Sequence, residues 1–411
     1  MARPSVLNTE TDNERKFKMN TIEHFNEHVM PTYGRYDLVL DKGEKQTAVS
    51  EEGKEYIAFG SGIGTNSLGY CNADWVNAVC EPAHKIQHTS NYYYTKVQAD
   101  YAAKLCEITG YSKMFFGNSG AEANECAIKL ARKYSFDKYG KEAERNIIIT
   151  LVNSFHGRTM GTLSATGQDV FHNYFFPFLP GFVNVKANDI DDLKKVLAEN
   201  DGKVCAIMFE CIQGEGGVVG LDAAFVKAIF EEAEKNDILT ICDEVQTGVG
   251  RTGKFLACEN FGVKPDVVTM AKGLAGGLPI GVCLANDKCK DVLTKGTHGS
   301  TFGGNPVVCA GGLAVLNKVS SEGFLDEVVQ KGYYIWQKLI NNPEVTGISG
   351  LGLMMGVSLK TKSAGDVCKA CLDNGLLILT AKDKLRFLPP LNITYEEIDK
   401  GIAILEKILA E

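Results

Sequence analysis

Three apolar runs in this chain end directly in residues that can do chemistry. Val204–Phe209 is followed by Glu210, Ile238–Cys242 by Asp243 and Glu244, and Asp266–Ala271 by Lys272. Lys272 opens Gly273-Leu274-Ala275-Gly276-Gly277-Leu278-Pro279, a glycine-rich apolar turn without a compensating charge. An ammonium there is poorly hydrated, so its pKa falls and a fraction stands as the nucleophilic free amine. The plainer reading is a lysine whose stem crosses a sheet edge while its head reaches water.

Ser119-Gly120-Ala121-Glu122 precedes a helical run, and Ser-x-x-Glu is the pattern of a capping box. Gly120 lets a ligand approach the first amides, which with the positive end of the helix dipole form an anion site for a phosphate. Most such boxes only cap. Gly248-Val-Gly250-Arg-Thr-Gly253 has dinucleotide spacing after a strand, which keeps a nicotinamide-dependent oxidoreductase in view. Five residues separate that strand from the glycines, however, and the helix expected over Lys254–Phe261 is short. Cys368-x-x-Cys371 lacks a second pair and reads as two thiols packed on one helix face. His24/His28 and His84/His88 lack the glutamate of HExxH, so no metal is expected.

Taken together, a phosphate cradle, a buried acid and a desolvated lysine are what pyridoxal 5'-phosphate requires. The lysine holds the aldehyde as a Schiff base, the acid keeps the pyridine nitrogen protonated, and the helix end holds the phosphate.

These groups need a scaffold, and the pattern between them supplies one. Strands are expected at Asn146–Val152, Phe182–Val185, Val204–Glu210, Ile238–Cys242, Asp266–Met270 and Ile280–Leu284. Helices alternate with them at Ala121–Tyr134, Ile190–Ala198 and Ala223–Glu234. That alternation predicts an α/β fold, a mainly parallel sheet with helices on both faces, whose ligands bind beyond the strands' carboxyl ends. After about residue 304 the texture changes. Helices at Pro306–Val319, Asp326–Leu339 and Tyr395–Leu409, with short strands at Gly352–Leu359, Leu376–Leu379 and Leu385–Leu388, predict a smaller α+β domain. The expected division is an N-terminal segment, 1–60, packing with the small domain, a large cofactor-binding domain, 61–304, and the small domain itself, 305–411.

Composition narrows the function classes. The chain has 411 residues, 45% hydrophobic and 23% charged, an ordinary globular balance. Its net charge of −8 gives no basic stripe for nucleic acid. No window of 18 apolar residues predicts a membrane span, and Met1–Asn20 has neither the apolar core of a signal peptide nor the acid-poor bias of a transit peptide. Thirteen scattered cysteines read as free thiols in a reducing compartment, so a cytoplasmic location is expected.

Longer stretches carry a family likeness. Asn118-Ser-Gly-Ala-Glu-Ala-Asn124, Ser154-Phe-His-Gly-Arg-Thr159, Phe209-Glu-Cys-Ile-Gln-Gly-Glu-Gly-Gly217, Asp243-Glu-Val-Gln-Thr-Gly-Val-Gly-Arg-Thr-Gly253, Ala271-Lys-Gly-Leu-Ala-Gly-Gly277 and Gly299-Ser-Thr-Phe-Gly-Gly-Asn305 resemble the class III aminotransferases. The likeness runs from about Tyr33 to Pro389-Pro390. It implies fold type I with a seven-stranded sheet. Lys272 would then bind the cofactor and shuttle a proton, Asp243 would pair with the ring nitrogen, and Gln246 with the ring oxygen. Phe155 and Val245 would cover the two ring faces, and Ser119, Gly120 and Ala121 would bind the phosphate. Glu210 and Glu244 are placed on the cofactor side as well. Thr301 is similar to a threonine that reaches the phosphate of the neighbouring subunit, which implies a homodimer with shared active sites.

Within the class, Gly62-Ile63-Gly64, Ser90-Asn-Tyr-Tyr-Tyr94, Phe155-His-Gly-Arg158 and Leu385-Arg-Phe-Leu-Pro-Pro390 look most like the acetylornithine-type enzymes. Arg158, with Ser300 beside it, would grip the donor's carboxylate. Arg386 would take the α-carboxylate of glutamate or 2-oxoglutarate, and Glu215 would mask Arg386 in the alternate half-reaction. Tyr33 joins this substrate set. Ile63 stands where ornithine aminotransferases carry tyrosine, which argues against a free δ-amine in the bound substrate. Gly69-Tyr-Cys-Asn-Ala73 and Cys211 depart from the family pattern at the rim. Ornithine, succinylornithine and 4-aminobutyrate are alternative donors, and a non-catalytic cofactor-binding protein is the alternative from another class.

Overall fold

The structure is a computed structural model and describes residues 20–411. The part of the expected N-terminal segment that precedes Asn20 lies outside the described residues. In chain order, β1 (Leu40–Glu44), β2 (Thr47–Ser50) and β3 (Glu55–Ala58) form an antiparallel meander. The large sheet contains β4 (Lys113–Gly117), β5 (Ile147–Leu151), β6 (Phe182–Val185) and β7 (Val204–Phe209). A two-stranded ribbon, β8 (Ile212–Gln213) and β9 (Val219–Gly220), intervenes before β10 (Leu239–Asp243), β11 (Val267–Met270) and β12 (Gly281–Ala285) complete it.

Its seven strands run β4-β12-β11-β10-β7-β5-β6. All neighbours are parallel except β12, which is antiparallel to β11 and β4. The central strands β7, β10, β11 and β12 are buried at every position, as a sheet covered on both faces demands. Successive residues feed two apolar layers: Ile149, Ile207 and Val268 go to one face, Ile148, Met208 and Val267 to the other.

The C-terminal part adds β13 (Val345–Leu351), β14 (Met354–Leu359), β15 (Leu376–Leu377), β16 (Leu379–Ala381) and β17 (Lys384–Phe387). Four of them make an antiparallel sheet, β13-β14-β17-β16. The apolar run expected as one strand over Leu376–Leu379 divides between two sheets. Leu376 and Leu377 pair in parallel with β3, whereas Leu379 pairs with Arg386 of β17. Seven strands escape sequence reading, β1, β2, β3, β4, β8, β9 and β13; of these β4 and β13 lie at the edges of their sheets. An edge strand is covered incompletely, so its residues need not form an apolar run. β4 reads exposed at Lys113, half-buried at Met114–Phe116 and buried only at Gly117.

The helix behind the catalytic end spans Gly120–Tyr139, five residues beyond the expected end. Ser135 is still on its buried face, and the helix stops only where Gly140 takes φ 78. The segment 254–261 is not an α-helix. It contains one 3-10 turn, Ala257–Phe261, closed by left-handed Gly262.

Candidate active site

The carboxyl ends of β4, β5, β7, β10 and β11 converge on a cavity of about 440 Å³. Its lining includes Ser119, Gly120, Ala121, Phe155, Arg158, Glu210, Asp243, Val245, Gln246 and Lys272. Ten residues from separate stretches of the chain are thus brought together by the ends of one sheet.

Asp243 closes β10 and is 3% exposed. Its Oδ2 accepts from Asn124 Nδ2 and from His156 Nδ1, both at 2.8 Å, and its Oδ1 accepts from the Val245 amide at 3.0 Å. Asn124 is itself fixed, because its Oδ1 accepts from Thr269 Oγ1 at 2.6 Å while its Nδ2 also donates to the His156 carbonyl. Three bonds on a carboxylate with about four lone-pair sites leave room for one more donor from the cavity. Sequence reasoning gave Asn124, His156 and Thr269 no role. The available signal was an asparagine on the same helical face as Ala127 and Ile128, since a buried amide must find partners.

Lys272 follows β11 with φ 42, in the left-handed region. Such a backbone costs a non-glycine residue about 1–3 kcal/mol and concentrates at functional sites. Its half-buried side chain opens on the cavity. Desolvation lowers its pKa, opposed by the charges of Asp243, Glu215 and Glu210 and reinforced by Arg386. Glu210, at the end of β7, accepts from the Phe155 amide at 3.0 Å and the Gly214 amide at 3.4 Å. Burial, then the nearby Asp243 charge, raise the Glu210 pKa well above the carboxylate range despite those bonds.

Ser119 caps the helix, accepting from the Glu122 amide at 3.2 Å. The expected box is half closed. Glu122 reaches one residue further back, to the amide and side chain of Asn118 at 2.7 and 2.8 Å. The first-turn amides at Gly120 and Ala121 have no intrahelical acceptor and face the cavity. Gly120 is dictated by crowding: a Cβ there would stand 2.6 Å from Val245 Cγ1. On the other side a Cβ on Gly281 would stand 1.9 Å from the Ser119 carbonyl, so β12 backs directly onto the cap.

Arg386, on β17, is 4% exposed and brings a second element to the same place. Its Nη1 donates to Glu215 Oε1 at 2.5 Å and to Gln246 Oε1 at 3.3 Å, and Gln246 Nε2 donates to Glu215 at 3.4 Å. Arg158 is exposed, with its guanidinium 4.0 Å from the Phe171 ring centroid and 5.5 Å from that of Phe155.

Four of the expected site residues lie elsewhere. Glu244 alternates to the opposite side of the strand end from Asp243, where it accepts from Thr247 Oγ1, the Cys258 amide and the Cys242 thiol. Burial raises its pKa, and it braces the loop rather than the cavity. Ser300 Oγ accepts from Asn118 Nδ2 and the Gly303 amide, both at 3.0 Å, and does not line the cavity. Thr301 and Tyr33 are exposed, and the Tyr33 ring lies 5.3 Å from the Arg35 guanidinium. An exposed residue of one subunit is free to reach a site only across a contact or after a movement, so a single chain leaves both outside.

The cavity's chemistry fits pyridoxal phosphate. It has an amine of lowered pKa on one wall, a carboxylate with an open lone pair on another, and amides at a helix start that only a glycine leaves clear. The Aminotransferase class-III family profile matches residues 29–409. An acetylornithine aminotransferase from Haemophilus ducreyi is 51% identical over 93% of this chain and 97% of its own length. Among solved structures, the ornithine aminotransferase from Toxoplasma gondii superposes with a TM-score of 0.90 at 30% identity, covering 98% of each chain. The N-acetylornithine aminotransferase from Stenotrophomonas maltophilia superposes at 0.82 with 33% identity, over 95% of this chain and 98% of that one. The chain belongs to the class III aminotransferases. Its fold is that of the fold type I pyridoxal-phosphate enzymes, and pyridoxal phosphate is the cofactor of the family.

Proposed function

We propose that this enzyme moves the side-chain amino group of N-acetylornithine to 2-oxoglutarate, giving N-acetylglutamate 5-semialdehyde and glutamate in two alternating half-reactions. The observation that carries the reading is the Arg386–Glu215 pair, which is bonded to Gln246 in the cavity wall. Glutamate and 2-oxoglutarate carry two carboxylates where acetylornithine carries one. One arginine must therefore be neutralised in one half-reaction and bared in the other, and a carboxylate in the turn of a two-stranded ribbon serves that purpose. Arg158, free of any acid partner among the described residues, is available for the carboxylate common to both substrates. Forked guanidinium pairing suits both tasks. Relatives at 46–51% identity that carry the acetylornithine aminotransferase name support the choice of donor.

Bound pyridoxal phosphate supplies an aldehyde for the amine and a ring that takes up electron density. The rest falls to this chain. The Lys272 amine, depressed in pKa, accepts and returns a proton at Nζ. Asp243, immobilised by Asn124, His156 and the Val245 amide, holds a proton on the ring nitrogen. Phe155 and Val245, which line the cavity, would cover the ring, and the amides of Gly120 and Ala121 with Ser119 would hold the phosphate.

A homodimer completes the proposal, with Thr301 reaching the partner's site. Tyr92, Tyr94 and Phe302, 91%, 103% and 60% exposed in the single chain, lie in or near the same region. Thirteen free thiols favour a cytoplasmic location, and among the described residues no helix is long and apolar enough to cross a membrane. Purified enzyme offered N-acetylornithine, ornithine, succinylornithine or 4-aminobutyrate with 2-oxoglutarate tests the donor. The acetylated donor is expected to give the highest kcat/KM, and absence of turnover with it would overturn the choice. Sedimentation of active enzyme as a monomer would overturn the dimer.

A further inference from the structure

Arg251 is 3% exposed and meets no carboxylate among the described residues. It sits in the same loop as Asp243, Val245 and Gln246, which leaves β10 and turns through Gly250 and Gly253 with φ 83 and 88. Its Nη1 donates to the carbonyl of Leu353, at 3.1 Å, and to that of Pro389. Its own carbonyl accepts from the Leu353 amide at 3.0 Å. Leu353 directly precedes β14 and Pro389 follows β17, so one side chain grips two neighbouring strands of the second sheet at the same end. In that sheet Gly356 is registered against Arg386. Leu353 and Pro389 are thus each three residues from that pair.

The packing around this grip leaves little freedom. A Cβ on Gly352 would stand 2.7 Å from the Arg251 carbonyl, and a Cβ on Gly64 would stand 3.8 Å from Arg251 Nη2. Nη2 has no hydrogen-bond partner among the described residues. Burial presses the arginine pKa down to about 9, still above neutrality, so the group is a cation balanced only by carbonyl dipoles. An unpaired buried cation is costly, and an apolar side chain would fill the space without that cost. What the guanidinium adds is a planar fork that can hold two carbonyls from two strands at fixed spacing, which an ammonium on a flexible stem does not reproduce.

We propose that Arg251 is a positioning residue that sets Arg386 against the cavity, tying the strand that reads the dicarboxylate substrate to the loop that carries Asp243 and Gln246. The inference rests on the assignment of Arg386 to the second carboxylate of 2-oxoglutarate. Arg251 touches no substrate, and its influence runs through Pro389 and Leu353.

Arg251→Lys and Arg251→Gln holoenzymes test it, with the two half-reactions measured separately by single-turnover absorbance. With the amino donor, the observed rate is expected to stay within about threefold of wild type. With 2-oxoglutarate, KM is expected to rise roughly tenfold to a hundredfold, the scale on which a displacement of about 1 Å acts. Glutarate, which has both carboxylates but cannot react, is expected to bind less tightly by the same factor in a calorimetric titration. Lysine is expected to rescue little. Equal losses in both half-reactions, or a lower melting temperature with unchanged glutarate affinity, would mean that Arg251 only stabilises the fold and would overturn the proposal. Full rescue by lysine would overturn it too. Failure of the wild-type enzyme itself to bind glutarate would instead count against the Arg386 assignment.

Discussion

The floor of the cavity and its mouth are built in different ways. On the floor, Asp243, Glu210 and Lys272 each lie within two residues of the end of a strand of one sheet, and Asp243 is locked by three hydrogen bonds. The mouth is assembled from separate pieces. Arg386 comes from the second sheet, Glu215 from the turn of a two-stranded ribbon, and Arg158, itself exposed, from the loop after β5. Tyr33 and Thr301 lie outside the cavity of the single chain. In the proposed reaction the groups around the cofactor must hold their geometry through every turnover, so a rigid sheet suits them. Groups that tell one substrate from another must change partners between half-reactions, and separately supported elements allow that.

Substitutions on the two sides should therefore differ in kind. The largest effect is expected from Lys272→Ala, which removes the proton-transfer group and should cost roughly 10²–10⁴ or more in turnover while leaving both substrates bound. Steady-state assay with a parallel thermal melt checks it, and near-normal turnover would dismiss the lysine. Asp243→Asn sets an amide against the Asn124 amide, and a fall of roughly 10² in turnover is expected with phosphate binding spared. Equal loss of cofactor affinity would make Asp243 a structural residue only. At the mouth, Arg386→Lys removes a charge-assisted fork worth about 1.5–3 kcal/mol. KM for 2-oxoglutarate should rise about tenfold or more while the donor half-reaction changes little, and a parallel rise for the donor would erase the contrast between the two regions.

The smallest effect concerns pH. Because burial and Asp243 raise the Glu210 pKa, the folded state binds this proton more tightly than the unfolded chain. The associated stability is complete below the unfolded carboxyl pKa and is lost as pH rises from there toward the folded value. Glu210→Gln should accordingly lose less melting temperature than wild type between about pH 5 and pH 8, within the range where this linkage acts. A steeper fall in the variant would contradict the assigned direction. Turnover of the variant is expected to stay within a few-fold, since an amide oxygen can still accept one of the two backbone donors.

Where sequence reading succeeded and failed follows the same division. Six of the seven large-sheet strands are legible because central strands buried on both faces must be apolar at nearly every position. β4 and β13 escape because they are incompletely buried, with exposed or half-buried residues at nearly every position. Of the residues that finish the floor, Asn124 leaves a local signal only in its place on a buried helix face, and His156 and Thr269 leave none; the bonds these three residues make span 119, 87 and 145 positions of the chain. Glu244 illustrates the converse: adjacency to Asp243 in sequence suggested a shared role, and the alternation of side chains along a strand sent it to the other side.

By itself the sequence determined the kind of scaffold, the strand ends where chemistry would sit and the amine, acid and helix start that meet there, because periodicity and the chemistry of side chains are local properties. Only the tertiary structure decided that Asn124 and His156 immobilise the Asp243 carboxylate, that it keeps one position open, and that Arg251 joins the two sheets. Those outcomes depend on which distant groups come within hydrogen-bonding reach, and that is settled by packing rather than by order along the chain.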